Sequence, residues 1–305
     1  MKQSQAKKRD NAMTNKILMG LIALVLGLLF LEILIVHSKN EQQKNASNQV
    51  QTARIMANGD LLYHDGLYMS ALQADGSYDF TENFTYVKPW LKQADLVLGD
   101  FEGTINPDYP LSGYPLFNAP QSVTAAIKDA GYDVMDLAHN HILDSGLEGA
   151  FTTADAFKKV GIDPIGVYEK PVRDKAPLLI KNVNGIKVAI LSYAYGYNGL
   201  ESNLTDKEVA DHLSNLDEKR MKSEIQRAEK EADITVIMPQ MGVEYRLEPT
   251  DEQVKLYHKM IDWGADIIFG GHPHVVEPSE VVKKGWTAKT YLFTSMGNFI
   301  VQTSA

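Results

Sequence analysis

Residues 134–146 read VMDLAHNHILDSG, and this stretch decides the fold. Three or four apolar-biased positions run into His139-Asn140-His141, with Asp144 three residues further on and Gly146 before the next amphipathic segment. A short apolar run of this kind, bounded by turn residues, suits a buried strand, and polar residues just past it stand where the chain leaves the sheet. The same grammar recurs in both directions along the chain. Ile-Met-Ala-Asn-Gly ends in Asp60, and Leu-Val-Leu-Gly ends in Asp100 with Glu102 beyond it. Ile-Ile-Phe-Gly-Gly ends in His272-Pro273-His274, and Leu-Phe-Thr-Ser-Met-Gly ends in Asn298. In open α/β sheets, the carboxyl edge of the strands is where ligand sites assemble.

Strands are expected at 54–58, 96–98, 134–137, 188–193, 234–238, 267–269 and 290–294, alternating with amphipathic stretches. That alternation predicts an α/β domain of layered α-β-β-α type. Val209, Leu213, Leu216, Met221, Ile225 and Ala228 recur at near-helical spacing through charged sequence, predicting one surface helix with a buried stripe. Thr250 with Gln253 forms a capping box, and Gly264 stops the helix that follows. Tyr193, Tyr195 and Tyr197 alternate as one buried face of a strand would, or as an exposed aromatic patch.

The N-terminus bears on the compartment. Ile17 to Val36 is a run of twenty residues with one charge, Glu32, long enough at 1.5 Å per residue for the roughly 30 Å bilayer core. Five basic residues precede it, which by the positive-inside rule leaves residues 1–16 cytoplasmic and exports the rest. A cleaved signal peptide would need a shorter apolar region and a small-x-small site, which His37-Ser38-Lys39-Asn40 does not supply. Residues 17–36 are therefore read as an uncleaved single-pass anchor, 37–53 as a polar linker and 54–305 as the extracellular domain. Net charge is −9 overall and +3 before residue 37, leaving about −12, their difference, on the remaining 269 residues. Such a domain has no excess of cations to neutralise phosphates, so nucleic acid is not an expected partner. Cysteine is absent, which excludes disulfides, thiolate metal sites and cysteine nucleophiles.

Four of the eight histidines fall in the motifs at 139–141 and 272–274. On an extended segment, His272 and His274 would share one side, with Pro273 stiffening the backbone between them. Asp, Glu, Asn and His without thiolates suit Mn²⁺, Fe²⁺ or Zn²⁺. Asp144 either orients His141 or caps the helix beginning near residue 147. His212 and His258 read as structural.

Ordered along the chain are Gly59-Asp60, Gly99-Asp100-Phe101-Glu102-Gly103, Asn118-Ala119-Pro120, Leu137-Ala138-His139-Asn140-His141 with Asp144, Met241-Gly242-Val243-Glu244-Tyr245, Gly271-His272-Pro273-His274 and Ser295-Met296-Gly297-Asn298-Phe299. This series resembles the CapA-type poly-γ-glutamate capsule synthesis proteins of bacteria, which are membrane-anchored and similar in fold to calcineurin-like metallophosphoesterases. The resemblance covers 54–305 and implies a C-terminus shortened relative to that family. It implies metal ligands at Asp60, Asp100 or Glu102, Asn140, His272 and His274, and His141 with Asp144 as the catalytic pair. It also implies substrate contacts at Asn118, His139, Gln240, Glu244 and Asn298. Gln240 stands where the family usually has histidine, and Asp60 lacks the histidine two residues on that metallophosphoesterases carry. One firmly held ion is therefore expected, or two of unequal affinity. The implied partners are the membrane, an anionic envelope polymer or phosphoester, and membrane-embedded polymer synthase subunits. Two functions follow: an accessory protein of envelope polymer synthesis and export at the cell membrane, or a metal-dependent phosphoesterase.

Overall fold

The computed structural model describes residues 19, 28, 31–38, 50–284 and 288–301. The chain divides into two units, Met1–Gln51 and Thr52–Ala305. In the first, residues 31–38 are helical. The expected tail at 1–16, and most of the expected anchor at 17–36 and linker at 37–53, lie outside the described residues. Among the described residues, no helix is long and apolar enough to cross a membrane.

The second unit is built on two sheets. One is wholly parallel, in the order β11-β1-β2-β3-β4, with β1 Ile55–Leu61, β2 Leu96–Phe101, β3 Val134–Asp136, β4 Asp163–Ile165 and β11 Asn298–Ile300. The other is mixed, in the order β5-β6-β7-β8-β10-β9, with β5 Leu179–Val183, β6 Ile186–Ala194, β7 Ile234–Gln240, β8 Ile267–Phe269, β9 Ser279–Lys284 and β10 Ala288–Phe293. Its outer strands β5 and β9 run antiparallel to their neighbours.

The period-two alternation of a strand sorts side chains into separate cores. Along β6, Val188 and Ile190 join Leu96, Leu98, Val134, Ile165, Val236 and Met238 between the two sheets. Ala189, Leu191 and Tyr193 of the same strand face the other way, against helices α6 (Glu218–Glu231) and α7 (Asp251–Trp263) through Met221, Ile225, Tyr257 and Met260. On the outer side of the parallel sheet, Phe101 and Met135 pack with Val123 and Ile127 of α3 (Ser122–Ala130) and Phe157 of α4 (Gly146–Lys159). The result is the layered α-β-β-α arrangement. Full burial of each Val, Leu, Ile, Phe or Met side chain here contributes about 1.5–3 kcal/mol relative to exposure.

Three expectations are corrected. The helix read through 209–228 is broken. Helix α5 (Asp206–His212) starts at the Thr205–Glu208 capping box, and Asp217 caps α6 by accepting from Arg220 N. Between them, Ser214 O accepts from Ala194 N at 2.8 Å and Leu216 N donates to Ala194 O at 2.9 Å, so this stretch is pinned to the end of β6. Its apolar residues served a strand-like edge and mimicked helical spacing. The three alternating tyrosines do not share a face, because β6 ends at Ala194; Tyr193 and Tyr197 are buried and Tyr195 is 46% exposed. Short strands β4, β5, β9 and β11 lacked a clear alternating signal and were not expected. The capping box at Thr250 and the stop at Gly264 stand as the residues indicated.

Candidate metal centre

The parallel sheet aligns four polar residues in one lateral row. Asn298 pairs with Asp60, Asp60 with Asp100 and Asp100 with Asp136 across β11, β1, β2 and β3. Register in a parallel sheet thus converts sequence positions 36 to 238 residues apart into neighbours. All three carboxylates are buried, at 4% exposure or less. Gly271 presses its backbone onto this row: a Cβ there would stand 3.0 Å from Asp100 Oδ2 and 3.2 Å from Asp60 Oδ1. Gly59 is likewise required, since a Cβ would collide with Gly297 O.

The 271–274 segment brings in the second set of groups, and not by the extended geometry expected of it. His272 and His274 both adopt positive φ, 92° and 62°. Non-glycine residues rarely occupy that region, and such strain is retained where surrounding contacts impose it. Here Gly271 N donates to Pro239 O, Tyr245 N to Pro273 O at 2.7 Å and Asn298 N to His274 O at 3.3 Å, fastening the turn from three sides. The two rings lie 5.9 Å apart, centroid to centroid. One ligand atom from each of Glu102, His272 and His274 falls within 4.8 Å of the others. His274 Nδ1 donates to Asp60 Oδ2 at 2.8 Å and to Asn298 Oδ1 at 2.9 Å.

Burial is the chief perturbation of this cluster's titration. It raises Asp100 and Glu102 well above the ordinary carboxylate range, with neighbouring carboxylates adding to the effect. It raises Asp136 to about 8. It lowers His272 to about 4, reinforced by His274 and His141. At His274, burial opposes the charge, but the bond to Asp60 and the charges of Glu102 and Asp60 outweigh it and raise the group to about 9.

The cluster is rich in buried atoms that lack a hydrogen-bond partner among the described residues: Asp60 Oδ1, Asp100 Oδ1, both oxygens of Glu102, Asn140 Oδ1 and His272 Nδ1. Native interiors leave few such groups unpaired. These are lone-pair-bearing oxygens and an imidazole nitrogen, the donor set of a borderline-hard divalent cation. The residues fit a metal.

The 139–141 segment approaches from the end of β3. Asn140 N donates to Gln240 Oε1 at 2.8 Å, which ties the segment to β7 of the opposite sheet, and Gln240 in turn pairs with Gly271. Through Gln240, the 139–141 segment is thus brought alongside the segment that carries His272 and His274. His141 Nδ1 bonds to Asp144 Oδ2 at 2.8 Å, and the same oxygen accepts from Phe117 N at 2.6 Å. Phe117 also packs its ring edge against His141, with centroids 4.7 Å apart. Asp144 therefore holds the imidazole; the cap position of α4 is Ser145, without a side-chain cap bond.

Of the remaining expected positions, Asn298 bonds to His274, while Glu244 lies exposed, near enough to influence Glu102 and Tyr195 electrostatically. His139 and Asn118 are engaged elsewhere. His139 is fully buried and its Nδ1 accepts from His141 N at 3.2 Å, with burial driving its pKa well down. Asn118 spends its amide on the backbone of Asn106, Tyr109 and Pro110 and accepts from Asn106 N, shaping the 103–118 loop. Both groups brace the loops that carry the pocket.

Asp136, Tyr195 and Asn198 were not anticipated. Tyr195 sets its ring at a tilt to that of His272, with centroids 4.5 Å apart. Asn198, at φ 56°, accepts from Asn140 Nδ2 at 3.2 Å. Asp136 carried a usable signal, closing the apolar pair Val134-Met135 as Asp100 closes its own run. Tyr195 and Asn198 carried none.

A family model described as "Bacterial capsule synthesis protein PGA_cap" matches residues 54–303. This chain belongs to that family. "Capsule biosynthesis protein CapA" of Bacillus anthracis is 33% identical over 226 residues, 71% of this chain and 53% of the relative. "PGA biosynthesis protein CapA" of Bacillus subtilis (strain 168) is 29% identical over 296 residues, 96% of this chain and 74% of the relative. The chain thus spans about half the length of the first and about three quarters of the second. A solved Staphylococcus aureus structure whose title names a 5'-nucleotidase matches at TM-score 0.49 and 14% identity, over 80% of this chain and 48% of that one. Family membership accounts for the ordered motifs; the lone-pair set in the pocket is a separate observation.

Proposed function

We propose that this PGA_cap protein serves the synthesis and export of capsule, poly-γ-glutamate or a related anionic polymer of the cell envelope, through a pocket that binds a divalent cation. One observation carries the reading: six buried lone-pair atoms, from Asp60, Asp100, Glu102, Asn140 and His272, lack a hydrogen-bond partner among the described residues, and Glu102 and His272 stand with His274 with ligand atoms within 4.8 Å of one another. With His274, these residues would hold Mn²⁺, Fe²⁺ or Zn²⁺, one ion firmly and a second more weakly. When bound, the cation would polarise an anionic oxygen of a polymer or phosphoester. A domain carrying about −12 has otherwise little with which to attract a polyanion. We place it outside the membrane, anchored by residues 17–36 with the N-terminus cytoplasmic and acting beside membrane-embedded synthase subunits; the apolar run and the five basic residues before it support this reading.

The His141–Asp144 pair favours a second reading, metal-dependent hydrolysis of an envelope phosphoester. Asp144 fixes the ring through Nδ1, which leaves Nε2 to move a proton at a leaving oxygen.

Metal analysis of the purified full chain tests the first proposal. About one equivalent of Mn²⁺ or Zn²⁺ should remain bound to the wild type and be lost from the His272→Ala/His274→Ala double variant. Absence of bound cation from the wild type after metal supplementation refutes the pocket. In a strain lacking the gene, full rescue of polymer export by the double variant would make the pocket dispensable to that role. Turnover of a generic phosphoester with Mn²⁺, abolished in His141→Ala, would favour the hydrolytic reading; no turnover above background would remove it.

A further inference from the structure

Two carboxamides stand side by side where β3 and β7 end, and they are locked in opposite senses. The backbone N–H of Asn140 donates to Gln240 Oε1 at 2.8 Å. An N–H can be met only by the carbonyl end of an amide, so this bond fixes which end of Gln240 faces the 139–141 segment. The NH₂ end is directed elsewhere. Gln240 is 1% exposed, and its Nε2 has no hydrogen-bond partner among the described residues. Asn140 is the converse: its Nδ2 donates to Asn198 Oδ1, and its Oδ1 is buried without a partner.

The surroundings of Gln240 are those of the cation pocket. Its backbone pairs with Gly271. Its Cγ lies 3.8 Å from the point where a Gly271 Cβ would stand, beside Asp100 Oδ2 and Asp60 Oδ1. The unpartnered oxygens of Asp60 and Asp100 do not take up the Gln240 NH₂, since they too remain unpaired. An amide NH₂ has two donor hydrogens and no available lone pair, so it cannot ligate a cation. What it matches is an oxygen bearing negative charge, the stronger class of acceptor. One carboxamide therefore suits the cation and the other suits an anion lying next to it.

We propose that Gln240 is an anion-contact residue: its Nε2 donates to an anionic oxygen, phosphoryl or carboxylate, of a ligand held over the cation, while Asn140 turns its Oδ1 to the cation itself. This rests on the cation pocket proposed above and adds what that pocket is built to receive. Position 240 thereby contributes no metal ligand, and the pocket accommodates an ion and an oxyanion side by side.

The test uses the purified full chain in detergent, loaded with one equivalent of Zn²⁺ and titrated calorimetrically with inorganic phosphate and, separately, with glutamate. Whichever of the two binds identifies the source of the oxygen. Gln240→Glu keeps the acceptor for Asn140 N but removes the donor; it should weaken that anion by about tenfold to a hundredfold, the loss of one hydrogen bond to a charged group, without weakening Zn²⁺. Gln240→Met removes the donor without adding charge and should shift anion affinity in the same direction. In the ¹⁵N-labelled wild type, the anion should move one side-chain amide pair, a readout that depends on neither variant; absence of that pair from the spectrum of folded Gln240→Met assigns it to Gln240. Unchanged anion affinity in both variants, no responding amide, or binding of neither anion overturns the proposal while the cation pocket stands. Failure of the wild type to bind Zn²⁺ overturns both.

Discussion

The chain holds two His-x-His motifs, and the fold treats them differently. At 272–274 both residues take positive φ and turn their rings into the carboxylate row, where Glu102 and Asp60 meet them. At 139–141 the first histidine is buried against its own backbone, and only the second belongs to the pocket, held by Asp144. Identical spacing thus yields two groups suited to a cation in one place, and a brace plus a proton-handling group in the other. Backbone conformation and the partner each ring finds decide the role; the residue type alone does not.

The largest expected effect separates the two motifs outright. His272→Ala/His274→Ala should lower Mn²⁺ affinity more than about 100-fold by isothermal titration, exceeding the 10- to 100-fold typical of losing an outer partner. His139→Ala should leave Mn²⁺ affinity within a few-fold of wild type yet destabilise the fold by about 2–3 kcal/mol, through the cavity and the lost bond to His141 N. Loss of cation binding in His139→Ala with no change in melting temperature would erase the distinction.

A pH series sharpens the same contrast. The cation-free protein keeps a proton on His274 up to about pH 9, and ligation must displace it. Mn²⁺ affinity should therefore climb as pH rises from 6.5, by up to about tenfold per unit from His274 alone, with any proton held by the raised Asp100 and Glu102 carboxyls adding to the slope. His272, with a pKa near 4, is already neutral across this range and adds no slope. In the absence of cation the sign for stability is opposite. The raised His274 pKa stabilises the fold fully below its unfolded value near 6.5, and this contribution is lost as pH rises through 9. A flat affinity profile from 6.5 to 9 would remove His274 from the ligand set.

Asp144→Asn should have the smallest effect on the cation. Mn²⁺ affinity should change by less than a few-fold, whereas any phosphoesterase rate should drop about 10- to 100-fold, as expected when the partner orienting a working histidine is lost. An equal fall in metal affinity would put His141 among the ligands instead.

Much of this arrangement could be read from residue order, because strand ends are marked locally. Asp60, Asp100 and His272 each close an apolar run, and such runs form strands whatever their partners. The row Asn298–Asp60–Asp100–Asp136 was only half legible, since register is set by pairing between distant strands and by the Gly59 and Gly271 close approaches. The positive φ of His272 and His274 left no trace in composition, because it is imposed by bonds from Pro239, Tyr245 and Asn298. Leu213 and Leu216 misled for a related reason: their spacing fits a helix, while Thr205 and Asp217 cap two separate ones. The orientation of Gln240 depends on a backbone N–H one hundred residues away, beyond any local signal.

Anomalous diffraction from crystals soaked in Mn²⁺ tests the central claim most directly. The account predicts a peak bounded by Glu102, His272 and His274, with the Asn140 side-chain oxygen and the Asp60–Asp100 carboxylates on its other side. No peak at saturating Mn²⁺, or one confined to surface carboxylates away from both histidine motifs, would contradict it.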